Sequence, residues 1–165
     1  MLTIEDMIIE ARRREQWQLA RDLAAIRDLD HLARNPDGVY LAEEYVRHVA
    51  QTRVPELESI LRQHGAAAAG YASEIIRGRW PEAEPTIADD PYGALIYARD
   101  VIRGRWLPGE AAILREPWII CEYVRAVVRE RWRDAEQTLQ RKWPEFMTFY
   151  HDALSDASGG REGIQ

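Results

Sequence analysis

The sequence has few of the features that mark secreted or membrane proteins. Its single cysteine, Cys121, cannot form an internal disulfide, which fits a reducing compartment. No run of about 18 apolar residues is present, so we expect no membrane-spanning helix. The amphipathic N-terminal segment carries charge by Glu5 and therefore lacks the apolar core of a signal peptide. These absences predict a cytoplasmic protein with no membrane partner.

Signature motifs of enzymes and cofactor sites are also missing. The histidines are scattered, and no HExxH or CxxC pattern is present to bind a metal. No glycine-rich phosphate loop and no GxSxG nucleophile turn occur. Cys121 lies in an apolar stretch, which favours a buried, inert thiol over a nucleophile. The sequence therefore predicts no catalytic residue, no metal and no cofactor, and an enzyme with its site in a groove is only a third alternative.

Positive charge is scarce overall but locally concentrated. The 165 residues carry 22 lysines and arginines against 28 aspartates and glutamates, a formal net charge of −6. Between residues 97 and 142 the balance reverses, with ten basic and seven acidic side chains. Arginine and tryptophan are enriched in protein interfaces, and interleaved basic and aromatic side chains also suit single-stranded nucleic acid. The candidate partner surface comprises Arg125, Arg129, Arg133, Arg141, Lys142 and Trp143.

The strongest positive signal is an internal repeat in the sequence. One repeat length is the number of residues from Tyr45 to Tyr71. Four tyrosines recur at this spacing, and each is followed by an arginine, then by valine or tryptophan, and then by a glutamate at constant offsets. The two central copies share ten identical positions without a gap. The columns are Tyr45, Tyr71, Tyr97 and Tyr123; Arg53, Arg79, Arg105 and Arg131; Val54, Trp80, Trp106 and Trp132; and Glu58, Glu84, Glu110 and Glu136.

Each copy is predicted to fold into a long helix followed by a short one. Pro81 and Pro108 follow the tryptophan column, so the long helix should end near it, and the short helix should cover about residues 81–88 and 108–114. A unit this small cannot bury its apolar face alone and must stack on its neighbours. The sequence therefore predicts an all-α fold: a short α-solenoid or curved helical bundle of about four two-helix repeats with a helical N-terminal cap.

The arginine and glutamate columns are interpreted as a structural clamp. We expect each arginine in the last turn of a long helix, where a cation meets the negative end of the dipole, and each glutamate near the start of a short helix. The planar guanidinium can then bind the carboxylate with two hydrogen bonds, and the neighbouring tryptophan can shield the pair. A structural clamp repeated along the stack is favoured over four ligand sites.

One further column holds Gly78 and Gly104 in the central copies. If these glycines lie within the long helix, close helix contact must compensate for their low helix propensity. This predicts that the central pair of repeats packs more tightly than the outer ones. A large residue at Gly104 should then lower the melting temperature more than the same change at Glu130, which occupies the column in the fourth copy.

The repeat fades at both ends of the chain. Leu19 stands one repeat length before Tyr45, and Phe149 stands one repeat length after Tyr123, where a fifth tyrosine would be expected. Degenerate terminal copies are typical of stacked arrays, whose ends must present a polar face. We predict one domain over residues 1–154, with an N-terminal cap over 1–38, repeats over 39–148, and a flexible tail over 155–165.

The segments YASEIIRGRWPEAE and YARDVIRGRW resemble short helical repeats of the form YAxxVIxGRWxxxE in uncharacterised proteins of bacteriophages and other mobile elements. The resemblance covers roughly residues 45 to 139. It departs in the first copy, where Val54 replaces the tryptophan, and in the fourth, where Arg133-Asp134 replace the proline. It implies an all-helical repeat fold and supplies no catalytic residues. A phage origin would imply an interaction directed at the host, such as inhibition of a protein complex.

The leading hypothesis is a non-enzymatic module that binds a protein partner, or itself, through one face of the stack. The alternative is a nucleic-acid-associated protein that uses the basic and aromatic surface around residues 125–143. Because an acidic chain is a poor non-specific binder of nucleic acid, the protein partner is favoured.

Overall fold

The computed structural model describes residues 1–159, and this part of the chain is all-helical, with 74% helix and no strand. The predicted all-α helical-repeat architecture is confirmed. The α-helices of the described residues are α1 (Ile4–Arg13), α2 (Trp17–Leu23), α3 (Leu29–Arg34), α4 (Gly38–Tyr45), α5 (Pro55–Leu61), α6 (Gly65–Tyr71), α7 (Glu84–Asp89), α8 (Pro91–Ile96), α9 (Leu107–Ile113), α10 (Pro117–Tyr123), α11 (Arg133–Lys142) and α12 (Met147–Gly159). A short 3₁₀ turn, Pro144–Phe146, leads into α12.

Each repeat contains one long and one short helix, as its sequence pattern predicts. The long helices α4, α6, α8 and α10 all end in a π-helical turn, and an extended corner then leads to the short helices α5, α7, α9 and α11. The π turns are Val46–Ala50, Ala72–Ile76, Tyr97–Ile102 and Val124–Val128. We number the copies one to four, and we define the corners as residues 51–54, 77–80, 103–106 and 129–132.

The long helices stack side by side along the array. The most extensive contact between two helices joins α6 to α8, and α8 continues against α10. The helix α12 packs against α10 and its π turn, so it takes the place of a fifth long helix. One continuous core of aliphatic and aromatic side chains runs through all copies. Each copy thus buries its apolar stripe against the next, which is how a repeat too short to fold alone becomes stable.

The N-terminal cap closes the first copy. Thr3 accepts a hydrogen bond from the backbone N–H of Asp6, and the Asp6 carboxylate accepts one from the N–H of Thr3, which forms a complete capping box. Met7, Leu23 and Leu32 from the three cap helices are fully buried. The cap therefore covers the end of the core that the first repeat would otherwise expose.

Helix boundaries differ from the sequence prediction in three places. The short helix predicted from about residue 81 begins at Glu84, after a turn over residues 81–83. The long helices end about four residues earlier than expected, at the π turns, so the tryptophans lie in the corners. Residues 155–159, predicted to start a flexible tail, belong to α12, where Asp156 accepts a hydrogen bond from Arg125. The rest of the predicted tail, residues 160–165, lies outside the described residues.

The glycines that bring the central copies together are not the predicted ones. Gly78 and Gly104 lie in the corners, and a Cβ atom built on either would meet nothing within 4 Å. A Cβ on Gly93 would instead lie 2.6 Å from the backbone of Gly65, so α6 and α8 touch backbone to backbone. The expectation for Gly104 is therefore wrong, because the pattern placed it inside a helix that has already ended.

Candidate interaction surfaces

The predicted arginine–glutamate clamp is present in every copy. Each arginine binds the glutamate of its own copy through both Nε and Nη2, which is the bidentate geometry that a guanidinium offers a carboxylate. The Nε–Oε1 distances are 2.5 Å for Arg53–Glu58 and 2.8 Å for Arg79–Glu84, Arg105–Glu110 and Arg131–Glu136. The clamp holds the corner at the start of each short helix.

The tyrosine column completes the clamp from the following copy. The Tyr97 hydroxyl donates to Glu84 Oε1 at 2.8 Å and accepts from the backbone N–H of Trp80 at 2.8 Å. The same two hydrogen bonds link Tyr71 to the first corner and Tyr123 to the third. The clamp therefore joins neighbouring copies as well as the two helices of one copy.

The fourth clamp uses Tyr150, one residue beyond the expected position of a fifth tyrosine. Its hydroxyl accepts from the N–H of Trp132 at 2.9 Å and lies 3.3 Å from Glu136 Oε1. Phe149, which the strict spacing selects, is partly exposed. The longer helix α11 and the 3₁₀ turn precede α12, and the tyrosine falls one residue later than the repeat spacing predicts. It contacts the same two groups as the other tyrosines of the column.

The tyrosine and tryptophan rings pack against each other within each of the later copies. The ring centroids are 5.2 Å apart for Tyr71–Trp80, 4.8 Å for Tyr97–Trp106 and 5.4 Å for Tyr123–Trp132, with tilted planes. Arg105 also lies over the Trp132 ring of the next copy, at 5.7 Å from its centroid, so this guanidinium contacts a tryptophan of the following copy rather than the adjoining Trp106. These buried rings explain the tryptophan column without a ligand.

Ionisation is shifted in the direction that the clamp requires. The hydrogen bond from Arg79 is the main cause that lowers the pKa of Glu84, and Arg131 lowers the pKa of Glu136 in the same way. Burial raises the pKa values of Tyr71 and Tyr123 to about 12. Burial also raises the pKa of Tyr97 and of Tyr150, so the clamps of Glu84 and Glu136 each pair a carboxylate of lowered pKa with a phenol of raised pKa.

The arginines that meet the helix dipole are not the clamp arginines. Arg79, predicted in the last turn of the long helix, lies beyond its end, as do its equivalents in the other copies. The residue that directly follows each π turn adopts the left-handed backbone conformation. Its φ is 52° at Gln51, 57° at Arg77, 58° at Arg103 and 55° at Arg129. Arg77 and Arg129 turn their Nε atoms back to carbonyls of the π turn, at 3.4 Å and 3.3 Å.

The candidate partner surface from the sequence is divided by the fold. Arg125 pairs with Glu122 in α10 and with Asp156 in α12. Arg129 is exposed in the fourth corner, and Arg133 starts α11. Arg141 and Lys142 lie at the other end of α11, where Lys142 covers the ring of Trp143 at 5.4 Å. A helix of ten residues separates its ends by about 15 Å, so these side chains form two groups rather than one patch.

A row of exposed aromatic side chains was missed at the sequence level. Tyr40, Tyr92 and Trp118 stand one or two repeat lengths apart, near the start of α4, α8 and α10, and are 58%, 56% and 55% exposed. Ala66 takes the equivalent position in α6. We call Tyr40, Tyr92 and Trp118 the aromatic row. The regular spacing of these aromatic residues in the sequence could have revealed the row. It is less conspicuous than the buried columns, because alanine interrupts it in copy two.

Tyr92 of the aromatic row borders a groove across three copies. The groove has a volume of about 400 Å³, and its lining includes Glu43 and Arg47 of copy one, Ala66, Gly70 and Ser73 of copy two, and Tyr92, Arg99 and Asp100 of copy three. Arg47 bridges Glu43 and Glu74, so copies one and two are tied together at its edge. Copy two contributes mostly small side chains to the lining.

The row ends in a cluster of three rings at the C-terminal end of the array. The Trp118 ring lies 4.7 Å from Phe149 and 5.2 Å from Phe146, and the two phenylalanine rings are 5.6 Å apart. Trp118 and Phe149 remain substantially exposed despite these contacts. Large aromatic side chains grouped at a surface are characteristic of interaction sites.

Reactive and metal-binding groups are scarce in the described residues. Cys121 is buried, and burial raises the pKa of its thiol to about 11, which disfavours the thiolate. In residues 1–159 no cluster of three or more histidine, cysteine, aspartate or glutamate side chains is placed to hold a metal ion. Within the same residues, no helix has both the length and the apolar character that crossing a bilayer requires.

Comparison with known proteins returned no relative. No family model matches the chain, and no curated protein and no solved structure matches it significantly.

Proposed function

We propose that this protein is a non-enzymatic helical-repeat module that binds a protein partner through the face carrying the aromatic row. The observation that supports the proposal most is the exposure of Tyr40, Tyr92 and Trp118, each more than half exposed at one repeat position. The buried core is built from the other columns, although Trp118 also packs on Phe146 and Phe149. Tyrosine, tryptophan and arginine dominate the binding energy of protein interfaces.

The shape of this face supports the same proposal. Solenoids bind partners along extended surfaces built from equivalent positions of successive copies. The groove beside Tyr92 crosses three copies and is lined by both charged and apolar side chains. Such a mixture suits a protein surface with a few anchoring side chains.

The cellular setting is proposed from the resemblance alone. A bacteriophage or mobile-element protein of this form would act in the host cytoplasm and engage or inhibit a host protein complex. Self-association through the same face is the other protein-binding form of the proposal.

The test compares the aromatic row with an exposed apolar residue outside it. The Tyr40→Ser/Tyr92→Ser double variant is expected to lose a stoichiometric partner that the unaltered chain retains in quantitative affinity purification from its native cell. Leu107→Ser is the matched control, since Leu107 is 70% exposed but lies at the start of a short helix. Light scattering of the purified chain tests self-association in parallel.

Two results would contradict the proposal. One is a monomeric protein with no stoichiometric partner. The other is a partner that the double variant retains and the control variant loses.

Nucleic-acid binding is the second candidate function. Arg129, Arg131 and Arg133 are all exposed in and beside the fourth corner, which favours contact with phosphates. Titration of single-stranded and double-stranded DNA and RNA at rising salt separates the two functions. Steep loss of affinity with salt supports phosphate contacts, whereas protein binding through aromatic anchors is expected to depend weakly on salt.

A further inference from the structure

A cavity lined by arginines lies where the third and fourth copies meet. Its volume is about 270 Å³, and it is lined by Arg99, Arg103, Gly104, Ala126, Val127 and Arg129. The π turns of α8 and α10 contact each other here, which brings the two corners together. Among the described residues, three guanidinium groups and no carboxylate line the cavity. Asp100 pairs with Arg99 beside the cavity, so in a protein with a net charge of −6 the local excess of positive charge comes from Arg103 and Arg129, which form no ion pair with the described residues.

Each of the three arginines keeps hydrogen-bond donors that no contact with the described residues occupies. Arg103 makes no side-chain hydrogen bond or ion pair with the described residues, and it is exposed. Arg129 has one long hydrogen bond from Nε to the Ala126 carbonyl, which leaves its Nη atoms unused within the described residues. Arg99 binds Asp100 through Nε and Nη2 only. The site therefore retains donors on all three guanidinium groups.

The backbone conformation is unusual for arginine. Arg103 and Arg129 have φ angles of 58° and 55°, in the left-handed region that glycine adopts at no steric cost. The same conformation recurs at Gln51 and Arg77, so it belongs to the corner of every copy, and the arginine side chains distinguish this boundary. Gly104 follows immediately but has no positive φ, so the strained position is the one that carries the charge.

The equivalent boundaries of the array lack this arrangement. At the boundary of copies two and three, Ser73 stands in the position of Arg99, so only Arg77 and Arg103 remain. At the boundary of copies one and two, Gln51 replaces one arginine, and Arg47 is held by Glu43 and Glu74. Three arginines with free donors therefore meet at the boundary of copies three and four, and this arrangement does not recur at the two earlier boundaries. A polymer of evenly spaced phosphates would favour a regular row, whereas a single phosphate group fits one concentrated site.

We propose that this cavity binds a phosphomonoester, carried by a phosphorylated side chain of the protein partner. A phosphorylated residue has a charge of about −1.5 to −2 at neutral pH and three acceptor oxygens. These suit the free forks of Arg103 and Arg129 and the remaining N–H groups of Arg99 better than one carboxylate does. Arg99 also lines the groove beside Tyr92, so the phosphate site and that groove share one arginine. Only the identification of a protein as the phosphate carrier rests on the proposed function.

The direct test is an NMR titration of the full chain with N-acetyl-O-phosphoserine amide, observed at the arginine Nε–Hε groups. We expect saturable shifts at Arg99, Arg103 and Arg129, with a dissociation constant of about 1 mM for so small a probe. Arg103→Gln should weaken binding about tenfold or more, since it removes a charge-assisted contact. Glutamine suits the position, because Gln51 holds it in the first copy with the same backbone conformation.

The controls separate this site from general attraction of anions. Arg77→Gln changes the same column one copy earlier and is expected to alter the affinity less than twofold. The unphosphorylated serine amide should not bind. Absence of saturable shifts, or equal weakening by Arg77→Gln and Arg103→Gln, would overturn the proposal. Tight, salt-sensitive binding of an oligothymidylate without binding of phosphoserine would overturn it in favour of nucleic acid.

Failure of the site and failure of the proposed function give different results. If the partner remains bound after phosphatase treatment and to the Arg103→Gln variant, the phosphate inference fails and partner binding stands. If phosphoserine binds but no partner depends on the aromatic row, the cavity binds phosphate and the proposed function fails.

Discussion

The corners of this protein are nearly identical, and its exposed surfaces are not. All four corners hold a bidentate arginine–glutamate pair, and in all four a tyrosine from the following helix accepts a hydrogen bond from the backbone. The outer positions vary from aromatic to alanine and from arginine to glutamine or serine at the same points of the repeat. Uniform positions thus build the array, while variable positions give each copy a different surface.

The largest expected effect lies at a buried corner position. Trp106→Ala should lower the free energy of unfolding by about 3 to 5 kcal/mol, because the indole is buried against Tyr97 and its removal leaves a cavity. Leu107→Ala, one residue along the chain and largely exposed, should change it by less than about 0.5 kcal/mol. Urea denaturation followed by circular dichroism measures both. Similar losses for the two variants would remove the contrast between buried and exposed positions.

A second contrast concerns two tyrosines of the third copy. Tyr97→Phe should cost about 1 to 3 kcal/mol, because the buried N–H of Trp80 and the carboxylate of Glu84 both lose a partner. Tyr92→Phe removes a hydroxyl from an exposed ring and should stay within about 0.5 kcal/mol of the unaltered chain. The same denaturation experiment applies. A neutral Tyr97→Phe would mean that the link between copies contributes nothing to stability.

Alkaline pH should weaken the links between copies. The pKa values of Tyr71 and Tyr123 are raised from 10.0 to about 12 in the folded protein, so the folded state binds their protons more tightly than the unfolded chain does. Their contribution is complete below pH 10 and should be lost progressively as the pH rises from 10 towards 12. Stability measured on both sides of pH 10 and close to pH 12 checks the trend.

Tyr123→Phe provides the control for that trend. Phenylalanine does not ionise, so the variant should lose less stability than the unaltered chain over this range. An identical slope in the two proteins would contradict the assignment.

The smallest effect concerns the strained corner residue of the first copy. Gln51→Gly should raise the free energy of unfolding by about 0.5 to 1 kcal/mol, since glycine removes the steric cost of the left-handed conformation. The greater entropy of glycine in the unfolded chain offsets part of this gain. Thr52→Gly, at the next residue with no positive φ, should not stabilise the protein. Thermal unfolding distinguishes them. A destabilised Gln51→Gly variant would show that the left-handed turn carries no strain.

Much of the architecture follows from sequence periodicity, and part of the candidate sites does not. The four columns predicted the copies, and the arginine and glutamate columns predicted the clamp because each pair lies within a short stretch of one copy. The partner of the Tyr97 hydroxyl was not predicted, since it lies in the preceding copy and is reached only after stacking. A buried tyrosine hydroxyl needs a hydrogen-bond partner, and this requirement was the available signal.

The misplaced helix ends have a related cause. The pattern around Arg103 and Gly104 continues the helical period, so the sequence favoured a helix that runs on to the tryptophan. The chain instead adopts the left-handed conformation at the arginine, a position where glycine is the usual marker. Contacts of the corner with the next copy override local preference here, as the hydrogen bond from the Trp80 N–H to Tyr97 illustrates.

The amino-acid sequence alone determines that this protein is a stack of two-helix copies, because a short, regular period of aromatic and charged side chains has few other solutions. Tertiary structure decided which copy completes each clamp, where each helix ends, and which arginines keep free donors at the surface. Those features depend on contacts between side chains of neighbouring copies, such as Tyr97 with Glu84 and Arg47 with Glu74, and such contacts exist only once the copies have packed together.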